Sequence, residues 1–304
     1  MTRTIWLASY PKSGNTWLRI LIANLATTGK PVDINDIPEP RSIATGRQTF
    51  DDIMLIDSDL LSHDEIDRLR PRLYEELAQQ RLPVTLPVRR EDVHFVKVHD
   101  AYTLNPDGEP LLAGRRGAAG AVVIVRDPRD VVCSLANHNR ITLDKAIRQI
   151  NNGKAEYSGR TERCERQLRH KLLNWRGHVA SWLDQSDIPV HLVRYEDMLL
   201  DTATELKRCL AFADKDVTED ALAHAVRCSQ FSAVQEQERL HGFRERPASN
   251  REGMFFRQGK AGAWLEELNP EQIDSIESAN ADMMVRLGYT LSGGVSVSAD
   301  IRRT

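Results

Sequence analysis

At 304 residues the chain is long enough for one large α/β domain or two small ones. With 41% hydrophobic and 28% charged residues its composition is that of an ordinary globular protein, which excludes a fibrous or disordered chain. A formal net charge of −3 argues against nucleic acid or another polyanionic polymer as the main partner, so an anionic small ligand would need a local cluster of positive charge.

No stretch approaches the roughly 18 uninterrupted apolar residues of a spanning helix. The first residues run almost directly into Ile5-Trp6-Leu7-Ala8, without the charged lead and cleavage site of a secretory signal. Cys133, Cys164, Cys209 and Cys228 are scattered, with no CxxC pair, and read as free thiols in a reducing cytoplasm rather than as disulfides or a zinc site.

Short apolar, β-branched runs without polar alternation predict buried strands over residues 5–9, 94–98, 121–125 and 190–195. Helical periodicity predicts helices over 15–26, 129–137, 166–183, 203–212, 219–228 and 270–287. Strand followed by helix, repeated, argues for an α/β domain with a central parallel β-sheet flanked by helices. Residues 31–50, 141–163 and 242–262 fit no regular pattern and read as lids or binding loops, and the chain after about residue 290 reads as a flexible tail.

The first chemically informative stretch is Trp6 to Arg19, W-L-A-S-Y-P-K-S-G-N-T-W-L-R. A strand ends at Tyr10, Pro11 stops its pairing, Ser13-Gly14 turn, and Asn15 or Thr16 opens an apolar helix. Such a turn aims backbone N–H groups and the positive end of a helix dipole at one point, which suits a phosphate. Lys12 adds a cation, and Ser13 and Thr16 add hydroxyls. An ordinary strand-to-helix turn with an exposed lysine is the alternative, and Trp17 fits either a stacked base or core packing. The Walker pattern GxxxxGK[ST] is not matched, because Lys12 precedes the only glycine.

Three further elements follow. In V-K-V-H, residues 96–99, strand alternation puts Lys97 and His99 on one face at a strand's end, where a histidine with a pKa near neutrality can take a proton. In A-V-V-I-V-R-D-P-R, Arg126 ends a strand, Asp127 and Pro128 start a helix, and Ser134 follows eight residues after Arg126. Arg126 could hold a second phosphate with Ser134, or instead pair with Asp130. In F-F-R-Q-G-K-A-G-A-W, residues 255–264, two cations on a glycine-rich backbone suit a loop that folds over an anion, or one that is simply solvated.

Taken together, these motifs resemble those of PAPS-dependent sulfotransferases, in the same order along residues 5–290. Y-P-K-S-G-N-T-W is similar to that family's 5′-phosphosulfate loop, which implies that Lys12 contacts the phosphosulfate bridge. Ser13, Gly14, Asn15 and Thr16 would cradle the 5′-phosphate, and Trp17 would stack on adenine. The resemblance implies Arg126, Ser134, Arg257 and Gly259 at the 3′-phosphate, with Gln258 standing where the family carries a lysine and Lys260 as a nearby cation. Tyr195, in V-R-Y-E-D, and more loosely Phe231 would border the adenine. It implies His99 as general base, with Lys12 and Lys97 stabilising charge on the transferring group.

The family's fold is a single, P-loop-like α/β domain, expected over residues 1–290. Its reaction moves a sulfuryl group from 3′-phosphoadenosine 5′-phosphosulfate (PAPS) to a hydroxyl or amine without needing a metal. The acceptor is open among small molecules, lipids and glycans, its pocket expected from residues 31–50, 141–163 and 240–256. A P-loop kinase-like phosphotransferase and a catalytically silent nucleotide-binding protein are the rivals.

Overall fold

Alternation along the first strand explains the architecture. In β1 (Arg3–Ser9), Trp6 and Ala8 face one way and Ile5 and Leu7 the other, and all four are buried. A strand apolar on both faces is stable only when both are covered, at about 1.5–3 kcal/mol for each large aliphatic side chain buried. The computed structural model describes residues 3–37, 43–79, 93–159, 165–247, 250 and 253–293.

β1 lies between β2 (Val93–Val98) and β3 (Gly120–Val125), and β6 (Val190–Arg194) pairs with β3. The four strands are parallel in the order β2-β1-β3-β6. A two-stranded ribbon, β4 (Glu156–Tyr157) with β5 (His170–Lys171), stands apart. Two residues flank β2 on its open edge: Ile43 bridges to Lys97, and the Ala44 amide donates to the Lys97 carbonyl at 3.0 Å.

One face of the sheet packs on α1 (Asn15–Asn24), α8 (Thr202–Phe212) and α9 (Glu219–Cys228), through Leu18, Leu21, Leu206, Leu210 and Leu222. The other packs on α3 (His63–Gln79), α4 (Pro128–Asn139), α5 (Leu143–Ile150), α6 (Trp175–Leu183) and α12 (Pro270–Arg286). Further α-helices among the described residues are α2 (Arg47–Met54), α7 (Tyr195–Leu200), α10 (Phe231–His241) and the single turn α11 (Trp264–Glu267). The chain is thus one α/β domain with a central parallel sheet, as its strand and helix patterning predicts.

Several elements differ from expectation. The helix predicted over 166–183 begins only at Trp175, because Leu173 adopts a left-handed φ of 59° and the Asn174 side chain caps the helix by accepting from the Gly177 amide. Residues 141–163, read as irregular, contain α5, whose Ala146, Ile147 and Ile150 are buried. The strand predicted to reach residue 195 stops at Arg194, and Tyr195 opens α7. Cys133, Cys209 and Cys228 are free thiols, while Cys164 and the tail beyond residue 293 lie outside the described residues. Among the described residues, no helix is long and apolar enough to cross a membrane.

Candidate active site

A cavity of 660 Å³ opens at the carboxyl ends of β1, β2 and β3, where parallel sheets bind ligands. Its first wall is the β1–α1 turn. Lys12 has φ 71° and Gly14 φ 108°, so the chain reverses within three residues and α1 starts with its N-terminus facing the cavity. Gly14 caps α1 with no side-chain hydrogen bond, and the first turn holds no acidic residue, so free amides are left for an anion. Glycine is required there: a Cβ at residue 14 would stand 2.7 Å from Tyr195 Cδ2.

Lys12, Gly14, Asn15, Thr16 and Trp17 all line the cavity. Asn15 turns its amide back to the Leu7 carbonyl at 2.7 Å, pinning turn to strand. Trp17 donates to the Ser229 carbonyl at 2.9 Å and meets Tyr195 edge to face. Ser13 stands apart: it is buried, its hydroxyl makes no hydrogen bond, and its side chain is not on the cavity wall.

The Lys12 ammonium lies 3.7 Å from the Phe255 ring centroid and 3.4 Å from His138 Nδ1, to which it donates. Burial, with the Arg126 and Lys97 charges, lowers its pKa to about 7. His138 sits one helical turn beyond Ser134 on α4 and is pushed down to about 3 by burial and by the Lys12 and Lys97 charges. It is therefore a neutral acceptor.

The second wall is the end of β2. Lys97 and His99 share one face and both reach the cavity, as strand alternation predicts. His99 Nδ1 lies 2.8 Å from the Ser9 carbonyl. A carbonyl can only accept, so Nδ1 carries the proton and Nε2 keeps its lone pair. Burial, and the Lys97 charge beside it, hold His99 well below the usual imidazole pKa. The next residue, Asp100, is fully buried against Arg70 of α3, with Nη2–Oδ2 at 2.7 Å, and accepts from the Lys171 amide at 2.9 Å. This pair fixes the strand end that presents His99.

The third wall is β3 and α4. Asp127 caps α4 by accepting from the Arg129 amide, and Pro128 is its first residue, as the sequence predicts. Arg126 stacks on Tyr195, 4.4 Å from the ring centroid, and donates to the Lys12 carbonyl at 3.3 Å and the Lys260 carbonyl at 3.1 Å. Its Nε, though buried, has no partner. The alternative partner, Asp130, lies 3.9 Å away, and its carboxylate is occupied by the Gly262 and Trp264 amides. Ser134 lines the cavity beside Cys133.

The glycine-rich loop closes the far side through Arg257, Gln258 and Gly259. Gly259 has φ 61°, and a Cβ there would collide with Phe231 Cδ2 at 2.2 Å. Arg257 is ion-paired with Glu267, and Lys260 turns away to Glu266 at 3.2 Å and does not line the cavity. Phe231 and Tyr195 face the cavity together with Trp17.

The expected acceptor segments contribute unequally. Residues 31–50 supply Ile43, Gly46, Arg47, Gln48 and Thr49, and residues 240–256 supply Arg244, Glu245, Phe255 and Phe256. Residues 141–163 supply only Tyr157 among those described, with Arg166 and Gln167 following.

Two charged residues were not anticipated. Arg19 is 4% exposed inside α1, and its Nη1 meets Glu245 Oε1 at 2.6 Å. Glu245 also accepts from Lys97 Nζ at 3.1 Å and from Thr16 Oγ1 at 3.4 Å. Burial alone would raise its pKa, but the Lys97 and Arg19 charges hold it well below the carboxylate range.

Residues 2–288 match a family model described as a sulfotransferase domain. Mouse Sulfotransferase 2B1 is 21% identical over 292 residues, covering 92% of this chain and 71% of that protein. The luciferin sulfotransferase of Photinus pyralis is 23% identical, covering 88% of this chain and 68% of that protein. Among solved structures, mouse sulfotransferase SULT7A1 complexed with PAP has a TM-score of 0.56 at 21% identity, covering 93% of this chain and 84% of that one.

Proposed function

The chain belongs to the sulfotransferase domain family, and from that premise we propose that it transfers the sulfuryl group of PAPS to a hydroxyl or amine of a small-molecule acceptor, releasing 3′,5′-diphosphoadenosine. The observation that carries the reading is the convergence of the β1–α1 turn, the end of β2 and the end of β3 on one cavity, where His99 keeps the Nε2 lone pair and Lys12 and Lys97 line the same cavity. The residues also fit the nucleotide. Free α1 amides and the unpartnered Arg126 Nε are donors awaiting an anion, and the absent side chain at Gly14 lets Tyr195 pack directly against the turn that presents those amides. PAP in the related SULT7A1 structure supports the same choice.

PAPS would supply a sulfuryl group already joined to a phosphate leaving group. Lys12, Gly14, Asn15 and Thr16 hold the 5′ end, with Ser13 contributing backbone only. Arg126 and Ser134 hold the 3′-phosphate, joined by Arg257 and the Gly259 amide once Arg257 leaves Glu267. Trp17, Tyr195 and Phe231 border the base. His99 Nε2 takes the acceptor proton, and the Nδ1–H bond to Ser9 keeps the ring oriented as charge develops on it. Lys12 and Lys97 place positive charge where negative charge accumulates in the transition state.

The acceptor's place is the part of the cavity walled by Ile43, the Gly46 to Thr49 stretch, Tyr157 and Phe255. A small molecule is the class supported by the luciferin enzyme among the relatives. The test is incubation with sulfur-labelled PAPS and a panel of hydroxylated and amino compounds. Label should move to at least one acceptor with release of diphosphoadenosine. A chain that neither binds the nucleotide nor moves the label contradicts the reading.

A further inference from the structure

Glu245 places a carboxylate among donors that the proposed reaction needs. Of its three partners, Thr16 stands in the first turn of α1 and Lys97 at the end of β2, both assigned above to the phosphosulfate end. The third, Arg19, is buried within α1 and meets Glu245 Oε1 at 2.6 Å. The other acidic side chain on the cavity wall, Asp130, is held by loop amides instead.

The competition is direct. A threonine hydroxyl carries one proton and donates to one acceptor at a time, so Thr16 cannot serve Glu245 and a phosphate oxygen together. The Lys97 ammonium has three protons, but its charge is already offset by the carboxylate. A polyanionic nucleotide would also meet the Glu245 charge at close range in a poorly solvated cavity, where like charges repel strongly. Glutamate is a suitable occupant: its side chain reaches the cavity, and without nucleotide it keeps Arg19 and Lys97 neutralised.

Resting on the cofactor reading above, we propose that Glu245 is an intramolecular stand-in for the cofactor's anionic end, which the nucleotide must displace from Thr16 and Lys97 and which thereby sets cofactor affinity.

The test is calorimetric titration of the whole chain with 3′,5′-diphosphoadenosine, comparing wild type, Glu245→Gln and the double variant Arg19→Gln/Glu245→Gln. The double variant removes both charges of the buried ion pair together. Glu245→Gln, or the double variant if the single one is unfolded, should bind about ten- to a hundredfold more tightly than wild type. Affinity unchanged or weakened overturns the proposal and makes Glu245 a residue that positions Lys97, with the loss appearing in kcat. If wild type and variants alike bind no nucleotide, the cofactor reading itself fails and the proposal falls with it.

Discussion

Lys12 offers the sharpest quantitative test, because its proton count should change when the nucleotide binds. Its ammonium lies under Phe255, beside His138, with Arg126 and Lys97 on the same cavity and Glu245 and Glu238 as the compensating charges. Burial and the two cations lower its pKa to about 7, against 10.5 for an ordinary lysine. At pH 8 about nine-tenths of the free protein then carries Lys12 as the neutral amine. A bound polyanion restores the charged form, so binding at pH 8 should take up about 0.9 proton, and about half a proton at pH 7. Affinity should fall about eight- to tenfold between pH 8 and pH 9, some 1.3 kcal/mol.

The nucleotide does not confuse the count, since its phosphates, with a second pKa near 6, are fully ionised at pH 8. His99 and His138 are both held below their ordinary range, so neither contributes at that pH. The assay is calorimetric titration of 3′,5′-diphosphoadenosine in buffers of differing ionisation enthalpy. Lys12→Arg, which cannot lose its proton, should abolish the uptake. Heats identical in all buffers, with affinity flat from pH 7 to 9, would show that the Lys12 ammonium stays charged in the free protein and refute the argument from its surroundings.

Other expectations concern neighbouring residues. His99→Ala should lower turnover by about 10²–10⁴ with nucleotide affinity roughly preserved, and undiminished turnover removes His99 from the chemistry. Because its folded pKa is depressed, His99 remains a competent base as pH falls through 6.5, so the acid limb of kcat should lie below the ordinary imidazole range. A limb centred at 6.5 contradicts the burial argument. Arg126→Ala should weaken diphosphoadenosine by roughly ten- to a hundredfold, the value of one or two charge-assisted hydrogen bonds, measured as Kd. Gly14→Ala combines a φ of 108° with a 2.7 Å approach to Tyr195 and should cost about 2 kcal/mol or more, lowering Tm by at least ~4 °C; an unshifted Tm would mean the turn tolerates a side chain.

The parts of the site legible in sequence are those where local chemistry fixes local structure. The turn at Gly14, the Asp127-Pro128 helix start and the Lys97–His99 alternation each follow from a few adjacent residues, and the parallel sheet gathers them at one edge. Other features left signals that went unread. Ser62 and Glu65 bond reciprocally at the start of α3, and Ala146, Ile147 and Ile150 give α5 its helical face. Arg19, among the apolar residues of α1, demanded a partner. Which carboxylate would answer could not be read, since Glu245 lies 226 residues away in a stretch without periodicity. His138 shares the Ser134 face of α4 by its spacing, but its contact with Lys12 depends on how β1 and α4 meet.

The two residues that border β2 constrain any attempt to retarget the enzyme. Ile43 bridges to Lys97 and the Ala44 amide donates to its carbonyl, while Gly46, Arg47, Gln48 and Thr49, just beyond, wall the cavity. Exchanging that stretch for one from another enzyme is therefore not a modular graft. The donor piece must return an amide to the Lys97 carbonyl, or altered acceptor choice will come with a displaced lysine and a bare strand edge open to self-association.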